Sequence, residues 1–440
     1  MNNGINQNFT ENQIDKNVIL VGVQFLGTDQ TPIGVGLDEL KGLARTAFYN
    51  PIMSIKQNIS SPNPKSFLGS GKVDDLKKAI KFHNVKTVIF DDRLTPGQNR
   101  NLEMTLKCRV IDRPWLILEI FSNHAKTREA KTQVELARLK YALPRLSRMW
   151  GHLSRQRGGI GMRDVGETQI QLDRRLIRNR ISKLDQKLNQ IDKERQTQRK
   201  SRKSSFKIAL VGYTNAGKST LMNLLTEAAA LAENKLFATL DPTIRKIKKN
   251  FPYPMLVSDT VGLIDKLPYD LIASFKSTLD EARDSDLLLK VVDIGHPNFR
   301  NHIKTTDVLL KEMGLGDSAT IQVFNKIDQI KDEEFLNYLR NRYPETVFLS
   351  SKTAEGVEEL RKSIKNHFEK RLTTLYANLN YNDCEILNKI RKLALTIEEK
   401  YTEKGLSLIV KAPVESKSRL LELIASSAPQ KNSCSIKIPH

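Results

Sequence analysis

The sequence predicts a multidomain α/β protein, with mostly parallel sheets covered by helices on both faces, a long antiparallel helical hairpin and a small α+β domain. Three observations predict this fold class. Short apolar runs alternate with helical stretches in residues 18–121 and again after residue 206, which is typical of parallel sheets. Apolar residues recur at heptad spacing in residues 122–200. A chain of 440 residues is also too long for one ordinary core, so two or three domains are expected.

The chain is strongly basic, and much of the charge lies in one segment. Lys and Arg number 71 against 50 Asp and Glu, which gives a net charge of +21. Residues 126–203 alone hold 22 Lys and Arg against 8 Asp and Glu. Such a local excess predicts a polyanionic partner, either nucleic acid or an anionic membrane surface.

No sequence feature indicates secretion or integral membrane association. No apolar run reaches the roughly 18 residues that span a bilayer. Residues 1–17 are polar and Asn-rich and lack the features of a signal peptide. The three cysteines, Cys108, Cys384 and Cys434, have no metal-ligand spacing. We therefore expect a cytoplasmic protein with a disordered tail over residues 1–17.

Residues 18–121 are predicted to form a parallel α/β domain. Apolar, β-branched runs predict strands at 18–23, 51–55, 87–90 and 109–112, and helical periodicity predicts helices at 37–48, 73–82 and 95–106. The run Gly69-Ser70-Gly71-Lys72-Val73 resembles the end of a phosphate-binding loop. However, Ser66 stands where such a loop has its first glycine, so a turn before a helix is the favoured interpretation.

Residues 122–200 are predicted to form two long amphipathic helices packed as an antiparallel pair. Apolar residues recur at spacings of four and three, as Ala130, Val134, Ala137 and Tyr141 and again as Ile177, Ile181, Leu184, Leu188 and Ile191. The loop over residues 154–168 joins the helices, because its closely spaced glycines cannot continue a helix. A solvated helical spacer is the alternative interpretation. The loop nevertheless keeps three arginines where no packing requires them, which favours a binding role.

Residues 201–371 are predicted to form a nucleotide-binding domain. A strand at 207–211 leads into a G-x-x-x-x-G-K-S loop, which a helical stretch follows at once. The loop consists of Gly212, Tyr213, Thr214, Asn215, Ala216, Gly217, Lys218 and Ser219. Its glycines let backbone N–H groups surround phosphate oxygens. Lys218 is expected to reach the β- and γ-phosphates, and the Ser219 hydroxyl to ligate Mg²⁺.

A second motif and a candidate switch segment complete the predicted phosphate and magnesium site. The motif is Asp259, Thr260, Val261 and Gly262, directly after an apolar strand at 255–257. We expect Asp259 to hold Mg²⁺ through water and the Gly262 N–H to approach the γ-phosphate. The switch segment consists of Phe237, Ala238, Thr239, Leu240, Asp241, Pro242 and Thr243. Either Thr239 or Thr243 can supply a second hydroxyl to Mg²⁺.

A third motif selects the base. Asn325, Lys326, Ile327 and Asp328 follow an apolar strand at 319–324. The Asp328 carboxylate can accept hydrogen bonds from N1–H and the exocyclic amine of guanine, whereas adenine would leave it unsatisfied. Lys326 is expected to pack its stem along the base and to reach the phosphate loop. Ser350, Ser351 and Lys352, after a strand at 347–349, fit the loop whose backbone reads the guanine O6. The four motifs in this order predict a P-loop G domain that hydrolyses GTP.

The predicted catalytic machinery lacks one part. Many GTPases place a Gln after the D-x-x-G motif to orient the attacking water, whereas this chain has Leu263. We therefore expect slow hydrolysis unless a partner or an ion completes the site. Asn215 is a candidate ligand for a monovalent cation such as K⁺ beside the phosphates. Capping of the loop backbone by Asn215 is an equally good interpretation.

Residues 372–428 are predicted to form a small C-terminal domain. Its expected elements are a helix over 383–400, a strand over 406–410 and a helix over 416–426. A second tail is expected over residues 429–440.

The chain resembles the HflX family of ribosome-associated GTPases, and the likeness extends beyond the nucleotide motifs. It runs from about Val21 to Arg371. The matching runs are 21–24, 69–73, 133–137, 143–146, 153–156, 159–161, 166–169, 173–175, 237–243 and 259–262. The family typically has Phe where this chain has Leu263, and Arg113-Pro114-Trp115 also departs from the family pattern. The resemblance favours Thr239 as the second magnesium hydroxyl.

The resemblance implies a ribosomal partner. It implies binding of GTP and GDP with Mg²⁺, and binding of the large (50S) ribosomal subunit by a chain expected to be a monomer. The hairpin tip would probe ribosomal RNA near the peptidyl-transferase centre, and stalled or idle 70S ribosomes would be split in the GTP-bound state. The tip residues expected to contact RNA are Arg155, Arg157, Gly158, Gly159, Gly161 and Arg163.

Three other functions compete with ribosome splitting. One is a GTPase of ribosome assembly or one that acts on tRNA with a modification partner. A second is an ATP-driven RNA remodeller that uses the N-terminal domain, although Asp328 argues against ATP as the main nucleotide. A third is a non-catalytic scaffold, which would bind nucleotide without turnover.

Overall fold

The computed structural model describes most of the chain, and the chain divides into two compact units. The described residues are 16–26, 33–149, 169–200, 205–227, 236–237, 239–240, 243–247, 251, 254–266, 281–381, 383–402 and 405–425. The first unit comprises Met1–Ile191, Glu233–Asp241 and Ile264–Ser277. The second comprises Asp192–Ala232, Pro242–Leu263 and Thr278–His440.

The first unit contains a four-stranded parallel sheet in the order β2-β1-β3-β4. Its strands are β1 (Asn17–Phe25), β2 (Asn50–Ile59), β3 (Thr87–Phe90) and β4 (Arg109–Asp112). Its helices are α1 (Ile33–Thr46), α2 (Ser70–Phe82), α3 (Pro96–Leu106) and α4 (Arg113–His124). All four residues of β3 are buried, as expected for a strand covered on both faces. The predicted parallel α/β domain is confirmed.

Helix α4 is an element that the sequence did not predict. The Asp112 side chain accepts a hydrogen bond from the Trp115 N–H at 3.1 Å and so caps the helix. Pro114 occupies the first turn, where its missing N–H costs no helical hydrogen bond. The run that departs from the family pattern therefore starts a helix.

The glycine run begins α2 rather than forming a separate turn before it. Gly69 is the N-cap residue, and residues 70–73 lie in the first turn of the helix. The Gly69 N–H donates to Oε1 of Gln57 at 3.3 Å. The Ser66 hydroxyl donates to the Leu68 carbonyl at 2.7 Å. Lys72 lies in the first turn of α2, where it pairs with Asp75 at 3.4 Å. The local hydrogen bonds thus account for these residues without a nucleotide.

Two long helices follow in the positions predicted for the hairpin, α5 (Arg128–Met149) and α6 (Gln169–Lys200). Ion pairs join them, from Glu135 to Arg180 at 2.7 Å and from Lys140 to Asp185 at 3.3 Å. The apolar seam predicted for α6 is confirmed, because its five residues are buried or half-buried between mostly exposed neighbours.

The first half of α5 is more deeply packed than a solvated spacer. Ala130, Val134 and Ala137 are each 3% exposed. The last seam residue, Tyr141, turns to the start of α4: its hydroxyl donates to Asp112, and its ring lies 5.7 Å from that of Trp115. The solvated-spacer interpretation therefore does not fit this half of the helix. The loop that joins α5 to α6, with its RNA-contact candidates, lies outside the described residues.

A buried charge cluster lies at the carboxyl end of β3 in the first unit. Arg113 is 1% exposed and pairs with Asp91 at 2.7 Å and also with Glu39. Lys266 pairs with Asp91 at 2.8 Å and with Asp92 at 2.7 Å. Burial acts to raise the pKa of Asp91, but Arg113 and Lys266 outweigh it and lower that pKa. Burial raises the pKa of Asp92.

The second unit contains a six-stranded sheet in the order β10-β9-β8-β5-β7-β6, parallel except for β6. Its strands are β5 (Phe206–Gly212), β6 (Thr243–Lys246), β7 (Met255–Asp259), β8 (Leu287–Asp293), β9 (Thr320–Asn325) and β10 (Val347–Phe348). Its helices are α7 (Lys218–Thr226), α8 (Phe299–Glu312), α9 (Glu333–Arg342) and α10 (Val357–Glu369). The predicted G-domain architecture is confirmed.

The C-terminal part is a small α+β region, as predicted, but its elements differ from the prediction. It consists of β11 (Leu372–Leu379), α11 (Cys384–Leu393), β12 (Thr396–Thr402), β13 (Gly405–Pro413) and α12 (Lys417–Ala425), with an antiparallel sheet in the order β11-β13-β12. The helix predicted over 383–400 is wrong beyond Leu393. Thr396 pairs with Lys411 and Thr402 with Gly405, so hydrogen bonds to β13 outweigh the helical pattern of this short segment.

No helix among the residues that the structure describes combines the length and the apolar character needed to cross a membrane.

Candidate functional site

The phosphate loop is held by its own lysine. Lys218 is 6% exposed, and its Nζ donates to the carbonyls of Gly212 at 3.1 Å and Tyr213 at 2.9 Å. Burial lowers the pKa of Lys218 to about 8, while the charge of Asp259 acts in the opposite direction. The two carbonyls thus position the ammonium at the head of the loop.

The residues after the D-x-x-G motif are hydrogen-bonded to this loop. The Leu263 N–H donates to the Gly212 carbonyl at 3.0 Å, and the Thr214 N–H donates to the Leu263 carbonyl at 2.8 Å. The Leu263 side chain is 5% exposed. An apolar, buried side chain at this position cannot orient a water molecule, which agrees with the expectation from the sequence.

The backbone of the loop is hydrogen-bonded, but within the described part of the chain the buried Thr214 hydroxyl is not. Thr214 is 6% exposed, and its Oγ1 has no hydrogen-bond partner among the residues that the structure describes. A Cβ added at Gly262 would lie 2.7 Å from the Thr214 methyl carbon. Only glycine therefore fits at position 262 without displacing the loop.

The two residues predicted to hold Mg²⁺ on this side of the loop lie together. The Ser219 hydroxyl donates to Oδ2 of Asp259 at 2.6 Å. The neighbouring Thr260 is buried, and its hydroxyl donates to the Leu210 carbonyl at 2.7 Å. Thr243 lies opposite Asp259 in the ladder between β6 and β7. A hydroxyl and a carboxylate at hydrogen-bond distance supply the hard oxygen ligands that Mg²⁺ prefers.

The candidate switch segment is only partly described: residues 237, 239 and 240 belong to the first unit, and Thr243 belongs to the second. Phe237 is 2% exposed, and its ring packs edge-to-face on Phe121 with the centroids 4.8 Å apart. Thr239 is half-buried and Leu240 is buried. Ala238 and Asp241 lie outside the described residues.

The residues predicted to select the base are hydrogen-bonded to the phosphate loop and to each other. Asn325 is fully buried; its Nδ2 donates to the Ala216 carbonyl at 2.8 Å, and its Oδ1 accepts from the Ser351 N–H at 2.9 Å. The Ser350 hydroxyl donates to Oδ1 of Asp328 at 2.7 Å. The N–H groups of Lys352 and Thr353 donate to the same hydroxyl at 3.3 and 3.1 Å. Residues from two distant segments are thus brought together as the motifs predict.

Lys326 has a partner that the sequence motifs did not include. Its Nζ lies 2.6 Å from Oδ2 of Asp293 at the end of β8. In the sequence, Asp293 is marked only by its position at the end of an apolar run. The structure shows that this run is the strand next to the one that carries Asn325.

Asn215 is exposed and has a positive φ of 61°, a conformation that Asn tolerates better than most residues. Its side chain makes no hydrogen bond within the described part of the chain. Capping of the loop backbone by this side chain therefore finds no support, and the amide is accessible to a ligand.

Three protein families match successive parts of the chain. The family described as GTP-binding GTPase N-terminal matches residues 35–122, and the one described as GTP-binding GTPase Middle Region matches residues 124–202. The family described as 50S ribosome-binding GTPase matches residues 207–326, which include the phosphate loop and both other nucleotide motifs up to Lys326.

Relatives match over most of the chain. The protein named GTPase HflX from Flavobacterium psychrophilum is 45% identical over 79% of this chain and 89% of its own length. Its namesake from Escherichia coli is 39% identical over 87% of this chain and 91% of its own. Among solved structures, a GTP-binding protein from Sulfolobus solfataricus in complex with GDP is 26% identical and covers 80% of this chain and 98% of its own, with a TM-score of 0.43.

Proposed function

Because this chain belongs to the HflX family of GTPases, we propose that it binds the large (50S) ribosomal subunit and dissociates stalled or idle 70S ribosomes when GTP is bound. Hydrolysis of GTP follows from membership of the family. Ribosome binding is supported by the description of the matching nucleotide-domain family and by the 22 basic residues of the segment 126–203.

One observation supports guanine recognition above all others: the Asp328 carboxylate is fixed by the Ser350 hydroxyl at 2.7 Å. One carboxylate oxygen accepts that bond, and the group remains able to accept from a base edge. A base without two adjacent donors leaves the carboxylate unsatisfied, which disfavours adenine. Selectivity for guanine nucleotides is therefore proposed to reside in this residue.

The residues of the site fit Mg²⁺. We propose that Ser219 binds the ion directly and that Asp259 holds it through water, with Thr239 as the further hydroxyl and Thr243 as the alternative. Mg²⁺, when bound, neutralises charge on the β- and γ-phosphates. The chain contributes Lys218, which its two loop carbonyls hold in place, and the Gly262 N–H toward the γ-phosphate.

The hairpin is the proposed reader of ribosomal RNA. Its tip keeps Arg155, Arg157 and Arg163 among glycines that allow close approach to a backbone. Arginine recognises phosphate with a rigid fork of donors. The cytoplasmic location and the monomeric state expected from the sequence stay predictions.

Sedimentation of ribosomes tests this function. The full chain is incubated with 70S ribosomes and GTP, a non-hydrolysable GTP analogue, GDP or ATP, and the particles are separated on sucrose gradients. We expect dissociation into subunits with GTP and its analogue, and none with GDP or ATP. Intact 70S particles together with binding to immature subunits or tRNA would identify the assembly or tRNA GTPase instead. Dissociation with ATP but not with GTP would identify the RNA remodeller. Binding of nucleotide without its hydrolysis would identify the non-catalytic scaffold.

A further inference from the structure

Lys326 adopts a backbone conformation that needs support. Its φ is 66°, in the left-handed region that costs a residue with a Cβ on the order of 1 kcal/mol. Residues in such conformations keep them only where the surrounding structure holds them. In this chain the side chain of Lys326 is held by the carboxylate of Asp293, with 2.6 Å between Nζ and Oδ2.

Asp293 is itself fixed from two sides. It pairs in register with Asn325 in the parallel ladder of β8 and β9. Its Oδ1 accepts a hydrogen bond from the Gly295 N–H at 3.0 Å, which leaves Oδ2 for the lysine. The side chains of Lys326 and Asp293 are only 19% and 16% exposed, so water and salt screen this pair less than they screen a surface ion pair.

Each of the three polar side chains of the predicted base-selecting motif is held by at least one polar group from another segment. Asn325 is bonded to the Ala216 carbonyl, and Asp328 to the Ser350 hydroxyl. Asp293 is the corresponding partner of Lys326. These contacts tie Asn325 to the phosphate loop and Asp328 to Ser350, and Asp293 holds Lys326 in the same way.

We propose that Asp293 is a positioning residue for guanine-nucleotide binding. It holds the Lys326 ammonium at the end of β8, so that the methylene stem is presented to the base. This inference rests on the guanine site proposed above. Because GDP and GTP share the base, loss of Asp293 weakens both nucleotides by the same factor.

The experiment measures dissociation constants for fluorescent GDP and for a non-hydrolysable GTP analogue with the full chain. Asp293→Asn keeps an oxygen for the Gly295 N–H and removes the charge. We expect affinity for both nucleotides to fall roughly fivefold. Asp307→Asn is the matched control, since Asp307 pairs with Lys290 of the same strand at 2.8 Å, and we expect it to leave both affinities unchanged.

A double-mutant cycle separates positioning from mere support of the fold. Lys326→Met keeps the apolar stem and removes the ammonium. We expect Asp293→Asn to cause no further loss of affinity in the Lys326→Met background, because the partner is already gone. An additive loss, or unchanged affinity in Asp293→Asn, would overturn the proposal.

Two further measurements keep the test decisive. Asp293→Ser, which retains a short oxygen acceptor, replaces Asp293→Asn if thermal unfolding shows that the latter does not fold. The wild-type chain is titrated with fluorescent ADP in parallel. Equal binding of ADP and GDP by the wild type would contradict the proposed guanine site itself, whereas guanine selectivity with no effect of Asp293 would contradict only this inference.

Discussion

At the scale of single residues, Asp328 receives a hydrogen bond from Ser350, and we propose that its remaining acceptors bind the base. Asp328→Asn retains an oxygen for Ser350 but places an N–H donor where guanine has its amine. Xanthine has a carbonyl oxygen at that position. We therefore expect affinity for GTP to fall roughly 10- to 100-fold, with affinity for XTP now higher than for GTP. Competition of both nucleotides against fluorescent GDP measures the switch, and an unchanged preference for GTP would show that Asp328 does not read the base.

Thr214 offers a second residue-scale prediction, because its buried hydroxyl lacks a partner among the described residues. A buried hydroxyl without a hydrogen bond costs about 1–3 kcal/mol. Thr214→Val replaces it with a methyl group of similar size, so we expect the nucleotide-free protein to gain about 1 kcal/mol of stability. Thr260→Val is the control and should destabilise, since the Thr260 hydroxyl donates to the Leu210 carbonyl at 2.7 Å. Thermal unfolding of both variants measures whether Thr214→Val raises the stability and Thr260→Val lowers it.

Asn215 is the candidate ligand for a monovalent cation that would complete the catalytic machinery. The residue is exposed and its side chain makes no hydrogen bond in the described part of the chain, while Leu263 cannot orient water. A monovalent cation held by the Asn215 oxygen would stabilise charge on the phosphates. We expect GTP hydrolysis to be faster in K⁺ than in Na⁺, and Asn215→Ala to remove the difference. Equal phosphate release in both salts by the wild type would exclude this role.

At the scale of elements, glycines at the starts of two helices differ in whether they tolerate a side chain: Gly217 precedes α7 as its N-cap, and Gly71 lies in the first turn of α2. Gly217 has a φ of 92°, and a Cβ there would lie 2.2 Å from Nδ2 of Asn325. Gly71 has ordinary backbone geometry, and a Cβ there meets nothing within 4 Å. We expect Gly217→Ala to abolish detectable GDP binding and Gly71→Ala to leave it unchanged, as measured by fluorescence titration. Loss of GDP binding in Gly71→Ala would instead indicate that the start of α2 contacts the nucleotide.

The secondary-structure elements also show which parts of the fold can be predicted from the sequence. The strands Thr87–Phe90 and Arg109–Asp112 have the predicted bounds, because short runs centred on β-branched residues favour a buried strand. Residues 396–400 lie in the predicted helix but belong to the strand Thr396–Thr402, because the pairing of this strand with β13 is set by tertiary context. The same limit applies at the site. Motif residues such as Lys326 are visible in sequence, whereas their partners, such as Asp293, depend on strand order and register.

At the scale of the whole molecule, the basic segment 126–203 and the nucleotide motifs occupy different parts of the chain, so binding of RNA and of GTP should be separable. Reversing the charge at Arg155, Arg157 and Arg163 is expected to weaken co-sedimentation with 50S subunits and to leave the affinity for GTP unchanged. The log–log dependence of affinity on salt should lose roughly 0.7–0.9 of slope for each phosphate contact removed.

A matched control tests whether the weaker binding to 50S subunits depends on where the charges lie or only on the net charge of the chain. Lys362, Lys365 and Lys370 are exposed on or next to α10, and reversing them changes the net charge by the same amount. We expect this control to bind 50S subunits with a salt slope close to that of the wild type, because counterion release depends on charges that contact phosphate. If both triple variants lose the same slope, the basic character acts through the overall field of the protein, and the hairpin tip is not the reader of RNA.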